Sequence, residues 1–287
     1  MQQDIPFLSE ESNQRRLDAF VSDRLADYSR ATIAKFIKQG SITVNGALSS
    51  PSYKLRSGDT VSINIAENVL ESIDLPVVYE DDNVMVIDKP AGILTHSKGT
   101  FSHEGTVASF IEPKLSADLE GSNRGGIVHR LDRDTSGIMI CAKNAATQSY
   151  LQRQFQDRKT KKLYTAVVEG IPKEIEAILK WPIGRNPKKP QTFRVDINGK
   201  LAETHFTLLR SGAKRSLVEL RPSTGRTHQL RVHMTYLGHP IVGDRLYGKV
   251  ADRLYLHATS LEITIPGGHR RVFSSPVPKE FSECIEN

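Results

Sequence analysis

The sequence has very little cysteine and no long apolar run. Cys141 and Cys284 are its only cysteines, and Cys141 stands inside a run of apolar residues. This scarcity excludes a disulfide framework or a zinc site built from several cysteines, and it suits a reducing cytoplasm. No apolar run approaches the ~20 residues that a membrane-spanning helix needs. The polar, acidic beginning MQQDIPFLSEESNQRR is unlike a secretory signal, so we expect a cytoplasmic protein outside the membrane.

The composition indicates a globular protein with a moderate positive charge. Of the 287 residues, 38% are hydrophobic and 25% are charged, and the formal net charge is +6. A chain of this length has room for one large domain or two unequal ones. The positive charge is compatible with a polyanionic partner, but many cytoplasmic enzymes are equally basic, so charge alone does not decide the function.

The first part of the chain, residues 14–66, is predicted to be a small separate domain. Apolar residues recur at helical spacing from Leu17 to Tyr28. A second helix follows, which Ser29 can cap and Gly40 can end. Two short strands come next, in SITVNG and GDTVSINI. The acidic, irregular segment 67–76 predicts a linker to the rest of the chain.

The second of these helices combines an apolar stripe with a basic face. Ile33 and Ile37 lie on the stripe, and the basic residues are Arg30, Lys35 and Lys38. A charged helix face is ordinarily just solvated. However, a serine-capped basic helix followed directly by ITVNG resembles the αL RNA-binding domain of a small-subunit ribosomal protein and of several RNA-modifying enzymes. That resemblance implies sequence-independent, salt-sensitive contacts between these basic residues and RNA phosphates.

From residue 77 to residue 287 the pattern changes to many apolar strands. VVYE and VMVIDKPAG are separated by a short polar turn, as in a hairpin, and further strand-like runs are GIVHR, IMICAK, LYTAVVEG, HFTLLR and SLVELRP. Helices are predicted over 145–155 and 227–237. Strands outnumber helices and hairpins recur. The fold class predicted is therefore α+β with a mixed, mostly antiparallel sheet rather than a doubly wound parallel sheet.

Two carboxylates stand in the polar turn HRLDRDTSG, between the strand-like runs GIVHR and IMICAK. A carboxylate in such a turn is usually only solvated. Here the turn connects two strands, and an acid held at a rigid strand end is well placed for chemistry. Asp132 is therefore the candidate reactive acid, whereas Asp134 is expected to bond the backbone of the turn or pair with Arg133.

Basic residues gather in two further stretches. In TGRTHQLRVH, Arg226 stands where a strand end meets a predicted helix N-terminus, a place suited to anions, and His228 and Arg231 follow. His228 and His233 lack the spacing that places two metal ligands on one helix face, so no metal site is predicted. In QDRKTKKLYTAVVEG, Tyr164 follows a basic cluster, which suits a polyanion with bases to stack on. The alternative is a charged helix end followed by a core tyrosine.

The chain resembles the RluA-type pseudouridine synthases in four stretches that occur in this order: EDDNVMVIDKPAG, HRLDRDTSG, KKLYTAVVEG and TGRTHQLRVH…GHPIVGD. The match runs over residues 75–263. No single stretch is decisive, but four in sequence at compatible spacing are specific. The resemblance implies a catalytic domain of the pseudouridine synthase type over residues 77–287. An αL domain in front is the usual companion of the large-subunit ribosomal members, which favours 23S ribosomal RNA as substrate, with transfer RNA as the alternative.

The resemblance also implies roles for individual residues. Asp132 corresponds to the essential carboxylate, Arg226 to its cationic partner with Arg231 as second choice, and Tyr164 to the tyrosine that stacks on the target base. The Tyr164 hydroxyl is also a candidate for taking the carbon-5 proton, although an unperturbed tyrosine titrates near ~10. His129 and Arg130 are expected to hold the RNA backbone or fill the space that a flipped nucleotide vacates.

No metal or organic cofactor is expected, because the isomerisation involves no redox change and no energy input. The sequence does not determine the oligomeric state, for which a monomer is the working expectation. Two other functions stay open. Asp132-Arg133-Asp134 has the D-x-D spelling of metal-dependent glycosyl transfer, although the interleaved arginines oppose a bound cation. A non-catalytic RNA-binding or ribosome-assembly factor is the second alternative.

Overall fold

The computed structural model describes residues 2–6, 14–25, 28–65, 73–97, 104–119 and 124–286. The chain divides into two compact units, the first comprising residues 1–71 and 98–104 and the second comprising residues 72–97 and 105–287. Each helix in the described ranges is too short or too polar to pass through a bilayer.

The first unit packs two helices against a small antiparallel sheet. Its elements are β1 (Gln2–Pro6), α1 (Leu17–Ser22), α2 (Arg30–Gln39), β2 (Ile42–Val44) and β3 (Thr60–Asn64), with strand order β1-β3-β2. Helix α2 begins and ends as predicted, because the Ser29 side chain accepts a hydrogen bond from Thr32 N (3.3 Å) and Gly40 adopts φ 82°. Helix α1 ends earlier than predicted, and β1 was not predicted. Ile33, Ile37 and the other apolar residues of the helices form one core with the sheet.

The second unit is built on one large sheet. Its elements are β4 (Val77–Glu80), β5 (Val84–Lys89), α3 (Val107–Ile111), β6 (Ser136–Ala142), α4 (Ala145–Gln156), β7 (Lys161–Glu169), β8 (Glu176–Leu179), β9 (Ile183–Arg185), β10 (Phe193–Val195), β11 (Thr204–Ser211), β12 (Arg215–Pro222), α5 (Gln229–Tyr236), β13 (Leu256–Thr264), β14 (Arg270–Ser274) and α6 (Lys279–Glu286). Eight strands follow the order β4-β5-β6-β13-β7-β12-β11-β8, and β14 pairs with β13. Every pair in the sheet is antiparallel except β6 with β13, which confirms the predicted α+β class.

Strand β6 lies in the middle of this sheet, and its first two residues pair closely with β13. All residues of β6 are buried, and Gly137 adopts φ 113°, where a Cβ would overlap the backbone of Ala258 on β13. Only glycine allows this close approach, so the two strands meet as a parallel pair at His257 and Ala258. The loop that carries Asp132 ends directly at this clamped strand, and Thr135 N closes it by donating to Asp132 O (3.1 Å).

In this unit one predicted strand is wrong, and one predicted helix is confirmed but begins two residues later. GIVHR is not a strand, because only Ile127 forms a bridge, to Cys141, and the N–H of Ile140 is donated to His129 Nε2 (3.1 Å) instead of to a strand carbonyl. The helix predicted from residue 227 begins at Gln229, because His228 adopts the left-handed conformation with φ 56°.

Candidate active site

A cavity of about 530 Å³ brings together the residues that the sequence singled out in the second unit. Its wall is formed by the loop before β6, by β7 and by the residues that lead into α5. Lining residues include Asp132, Tyr164, Arg226, His228 and Arg231. Stretches that are far apart in the chain therefore meet around one space, which is large enough for a nucleoside and part of its backbone.

Asp132 is paired with Arg231 in this cavity. The Asp132 side chain is 21% exposed, and its Oδ2 accepts a hydrogen bond from Arg231 Nη1 at 3.3 Å. The same guanidinium donates from Nε and Nη2 to the two carboxylate oxygens of the buried Asp244, both at 2.7 Å. Burial by itself lowers the pKa of Arg231, but Asp244 and Asp132 outweigh it and hold that pKa above the usual arginine range. Asp132 thus faces a permanently charged partner.

The prediction that Arg226 pairs with Asp132 is wrong. Arg226 lines the cavity, but its Nε donates to the backbone oxygen of Leu201 at 3.0 Å. Helix α5 begins only after the left-handed residue His228, and Arg231 in its first turn is the arginine that reaches the carboxylate. Arg231, which the resemblance gave as the second choice, is the arginine that contacts Asp132.

His228 also faces Asp132. Its Nε2 lies 3.8 Å from Asp132 Oδ2, and its Nδ1 is 2.8 Å from the Tyr247 hydroxyl. That hydroxyl accepts from Phe193 N (2.8 Å), and if it donates to Nδ1 the neutral ring carries its proton on Nε2. Burial holds the pKa of His228 below its usual value, although Asp132 opposes the shift, so the ring is neutral near pH 7.

Tyr164 lies on the central strand β7, with its ring packed between two core clusters and in the cavity wall. Burial raises the pKa of Tyr164 far above its usual value, and the negative charge of Asp132 adds to the shift. Its hydroxyl is therefore a poor proton acceptor at neutral pH, which leaves an aromatic surface as the main chemistry that this side chain offers.

The two residues beside Asp132 differ in their surroundings. His129 stacks on Phe155 (centroids 4.6 Å apart) and accepts from Ile140 N. Burial, with a contribution from Lys162, lowers the pKa of His129 to about 3, so the ring is neutral and structural. Arg130 is exposed and lines the cavity, where its guanidinium is accessible to a ligand.

The sequence did not single out the residues that hold the site together. Asp244, in the stretch GHPIVGD, binds Arg231 and accepts from Leu246 N and Tyr247 N. Gln229 accepts from Thr224 Oγ1 and Arg226 N and donates to Glu203 O, which fixes the turn before α5. Their position inside recognised stretches was the available signal, but the side-chain types alone do not reveal which partners they meet.

The basic residues of the first unit are exposed on α2. Arg30 Nη2 donates to Asp18 Oδ1 at 3.0 Å, and Arg16 binds the same carboxylate. The bond from Arg16, together with that from Arg30, lowers the pKa of Asp18 to about 2. Lys35 and Lys38 lie on the solvent side of the helix, away from the buried Ile33 and Ile37. Arg30 is thus already oriented by a carboxylate, whereas the two lysines extend into solvent.

No group of three or more His, Cys, Asp or Glu side chains that could hold a metal ion is found in the described ranges.

Comparison with known proteins agrees with this geometry. Residues 83–236 match the family model for RNA pseudouridylate synthase, and residues 15–61 match the S4 domain. The chain is 38% identical to an uncharacterized RNA pseudouridine synthase of Bacillus subtilis, over 97% of this chain and 96% of that protein. It is 36% identical to ribosomal large subunit pseudouridine synthase D of Borreliella burgdorferi, over 96% of this chain and 90% of that protein. The solved structure of human RNA pseudouridylate synthase domain containing 1 has a TM-score of 0.60 and 29% identity, covering 72% of this chain and 86% of that chain.

Proposed function

The chain belongs to the RNA pseudouridylate synthase family, and on this premise we propose that it converts specific uridines of large-subunit ribosomal RNA into pseudouridine. It is an isomerase acting on RNA, with an RNA-binding S4 domain in residues 15–61. The choice of ribosomal RNA is supported by that domain and by the name of the Borreliella burgdorferi relative, which specifies the large ribosomal subunit.

The observation that carries the proposal is the contact between Asp132 and Arg231. Breaking a glycosidic bond needs an ionised carboxylate near the sugar, and an adjacent guanidinium favours the ionised form. Arg231 and His228 both face Oδ2. Among the residues that the structure describes, no donor contacts Oδ1, so we assign this oxygen to the nucleotide. It either attacks C1′ of the ribose or removes the proton from C2′, and both steps require the charge.

The reaction balances without any redox partner. The bond between C1′ and uracil N1 breaks, the ring turns, and a bond forms between C1′ and C5. A proton leaves C5 and N1 gains one, so the formula of the nucleotide is unchanged. Throughout, the detached uracil must be held in the cavity, and stacking on the Tyr164 ring is the role we assign to that side chain.

A uridine in folded RNA reaches such a cavity only when it is flipped out, at a cost of a few kcal/mol. Arg130, which is exposed at the cavity, is proposed to occupy the space left in the RNA, and Arg226 to bind a phosphate at the cavity wall. His129 is assigned a structural role in the loop, because its ring is neutral and accepts a hydrogen bond from Ile140 N on β6. In the S4 domain, phosphate contacts are assigned to Lys35, Lys38 and Arg30.

The experiment is to map pseudouridines in total RNA from cells with and without the gene, and then to restore the gene as wild type, Asp132→Asn or Asp134→Asn. Loss of one or more ribosomal pseudouridines is expected, with rescue by the wild type. Asp132→Asn keeps the shape but removes the charge, so activity should fall by at least about a thousandfold while RNA affinity stays within about threefold.

Asp134→Asn is the matched control, because it removes a neighbouring carboxylate of the same turn and should restore the modification. Rescue by Asp132→Asn would refute the role of that carboxylate. Loss of pseudouridine from transfer RNA alone would move the substrate to that class.

A further inference from the structure

Lys162 is a partly buried cation in the cavity wall, and no carboxylate partner for it is found among the described residues. It lies two residues before Tyr164 on β7, so the two side chains share a face of the strand, and both line the cavity. Its Nζ donates to the backbone oxygen of Thr224 at 3.2 Å and lies beside Gly225. In the described part of the chain, no carboxylate oxygen is within salt-bridge distance of this ammonium.

Lys89, a buried lysine of the same unit, is a useful comparison because protein oxygens accept all of its hydrogen bonds. Lys89 is fully buried, and its Nζ donates to the backbone oxygens of Pro90, Ile93 and Arg133 at 2.8, 2.9 and 3.0 Å. An ammonium has three N–H donors, and here each has an acceptor. Lys162 by contrast has one acceptor in the part of the protein that the structure describes, so its other donors are available to a ligand in the cavity.

The charges around Lys162 favour an anionic ligand. Among the described residues, the charged side chains that line the cavity are Arg130, Asp132, Arg158, Lys162, Arg226 and Arg231, and Asp132 is the single acid in this set. The neighbouring His129 is neutral, because burial and the charge of Lys162 lower its pKa to about 3. Leaving an ammonium buried without a counter-charge is costly, and an incoming anion removes that cost.

We propose that Lys162 is a phosphate-binding residue that contacts a phosphodiester oxygen of the RNA strand whose uridine enters the cavity. This inference rests on the proposed function, because RNA is the polyanion that brings the phosphate. It places a phosphate subsite beside the base-stacking Tyr164. The phosphate would neutralise the Lys162 ammonium only when the RNA strand is bound at the cavity. The contact would therefore stabilise the flipped-out state of the nucleotide.

The test compares Lys162→Gln, Lys162→Arg and Lys161→Gln with the wild type on a transcript of the modified ribosomal segment. Lys161 is the matched control, because it is the adjacent lysine on the other face of β7, 76% exposed and paired with Glu262. KM should rise about tenfold in Lys162→Gln with kcat within about threefold, as for loss of one charge-assisted bond. Lys161→Gln should match the wild type in both constants.

The pH dependence provides a readout that a structural role would not move. Burial lowers the pKa of Lys162 to about 8, so in the wild type kcat/KM should fall as the pH rises through that value and the ammonium loses its proton. An arginine stays charged, so Lys162→Arg should lose this part of the decline, while any contribution from His228 or from the RNA itself is common to both proteins. Superimposable pH profiles would overturn the proposal.

Two further measurements keep the result decisive. The melting temperature of Lys162→Gln should equal or exceed that of the wild type, because the variant removes an unpaired buried charge. RNA affinity should show a salt slope that is smaller by about one phosphate contact in Lys162→Gln.

If the wild type makes no pseudouridine in ribosomal RNA, the proposed substrate fails, but the salt slope on transfer RNA transcripts still decides the Lys162 contact. An unchanged KM and an unchanged slope would refute it.

Discussion

The side chain of Arg231 lies between two carboxylates of unequal burial. Asp244 is 1% exposed and holds the guanidinium through two bonds of 2.7 Å, whereas the more exposed Asp132 takes a single bond of 3.3 Å. The strong pair with Asp244 orients the arginine, and the weaker contact goes to Asp132. A planar guanidinium can bind Asp244 through two parallel bonds and still present a third N–H to Asp132, a geometry that the single nitrogen of a lysine cannot reproduce.

Arg231→Lys should therefore reduce kcat strongly although the charge is retained. We expect a loss of at least about a hundredfold in kcat and a lower free energy of unfolding, by about 2–4 kcal/mol, because Asp244 loses its bidentate partner. Denaturant unfolding and steady-state kinetics measure the two effects separately. Arg226→Lys is the control: its guanidinium bonds a backbone oxygen, so the change should affect KM more than kcat. A larger loss of kcat in Arg226→Lys than in Arg231→Lys would support Arg226, which the sequence favoured, as the functional partner of Asp132.

At the scale of secondary-structure elements, the loop of Asp132 is held from two sides. Its end is fixed by β6, and its middle is bonded by the end of β5, where Lys89 Nζ and Gly92 N both donate to Arg133 O at 3.0 and 2.9 Å. Strands β5 and β6 are antiparallel neighbours with Lys89 opposite Gly137, so the bonds from the end of β5 reach the loop just before it enters β6.

Lys89→Met should loosen this loop. The variant keeps the length and the apolar stem but removes three hydrogen bonds, and it leaves the oxygens of Pro90 and Ile93 without this donor while Arg133 O keeps Gly92 N. We therefore expect a loss of about 2–4 kcal/mol in the free energy of unfolding. Hydrogen exchange at Gly92 and Thr135 should become faster, and kcat should fall at temperatures where the protein is still folded.

Lys114→Met is the control for removing a lysine. Its ammonium forms an exposed pair with Glu80, so the cost should be below about 1 kcal/mol. Equal stability of both variants and the wild type would mean that Lys89 does not hold the loop.

Elements with local signals were the ones that the sequence could predict. Helix α2 carries its own cap and stop, and the hairpin of β4 and β5 carries its own turn. Strand β1 could not be predicted in the same way, because it exists through pairing with β3, which is remote in the chain. The same limit applies to the site. Asp132 and Tyr164 could be singled out from their stretches, and both line the cavity. Which arginine contacts Asp132 is visible only in the folded backbone before α5, where His228 is left-handed, and no residue pattern specifies that conformation.

For the molecule as a whole, the proposed RNA-binding residues fall into two chemically different groups. In the catalytic unit, basic residues surround one acid in a cavity. In the S4 domain, the basic residues lie on the exposed face of α2, and the apolar face of that helix packs in the core. Contacts of the second kind neutralise phosphates without reading bases, so they contribute affinity and salt dependence rather than the choice of uridine.

This division predicts the effect of reversing charge on α2. The double variant Lys35→Glu with Lys38→Glu should bind ribosomal RNA more weakly, and the slope of log K against log salt should shrink by roughly 1.5–2, as for the loss of two phosphate contacts. At saturating RNA its kcat should equal that of the wild type, because the cavity is untouched. The control is Lys54→Glu with Arg56→Glu, which makes the same change in net charge on the same unit but off this helix. If both double variants flatten the slope equally, RNA is attracted by the overall charge of the domain, and the assignment of the phosphate contacts to α2 is wrong.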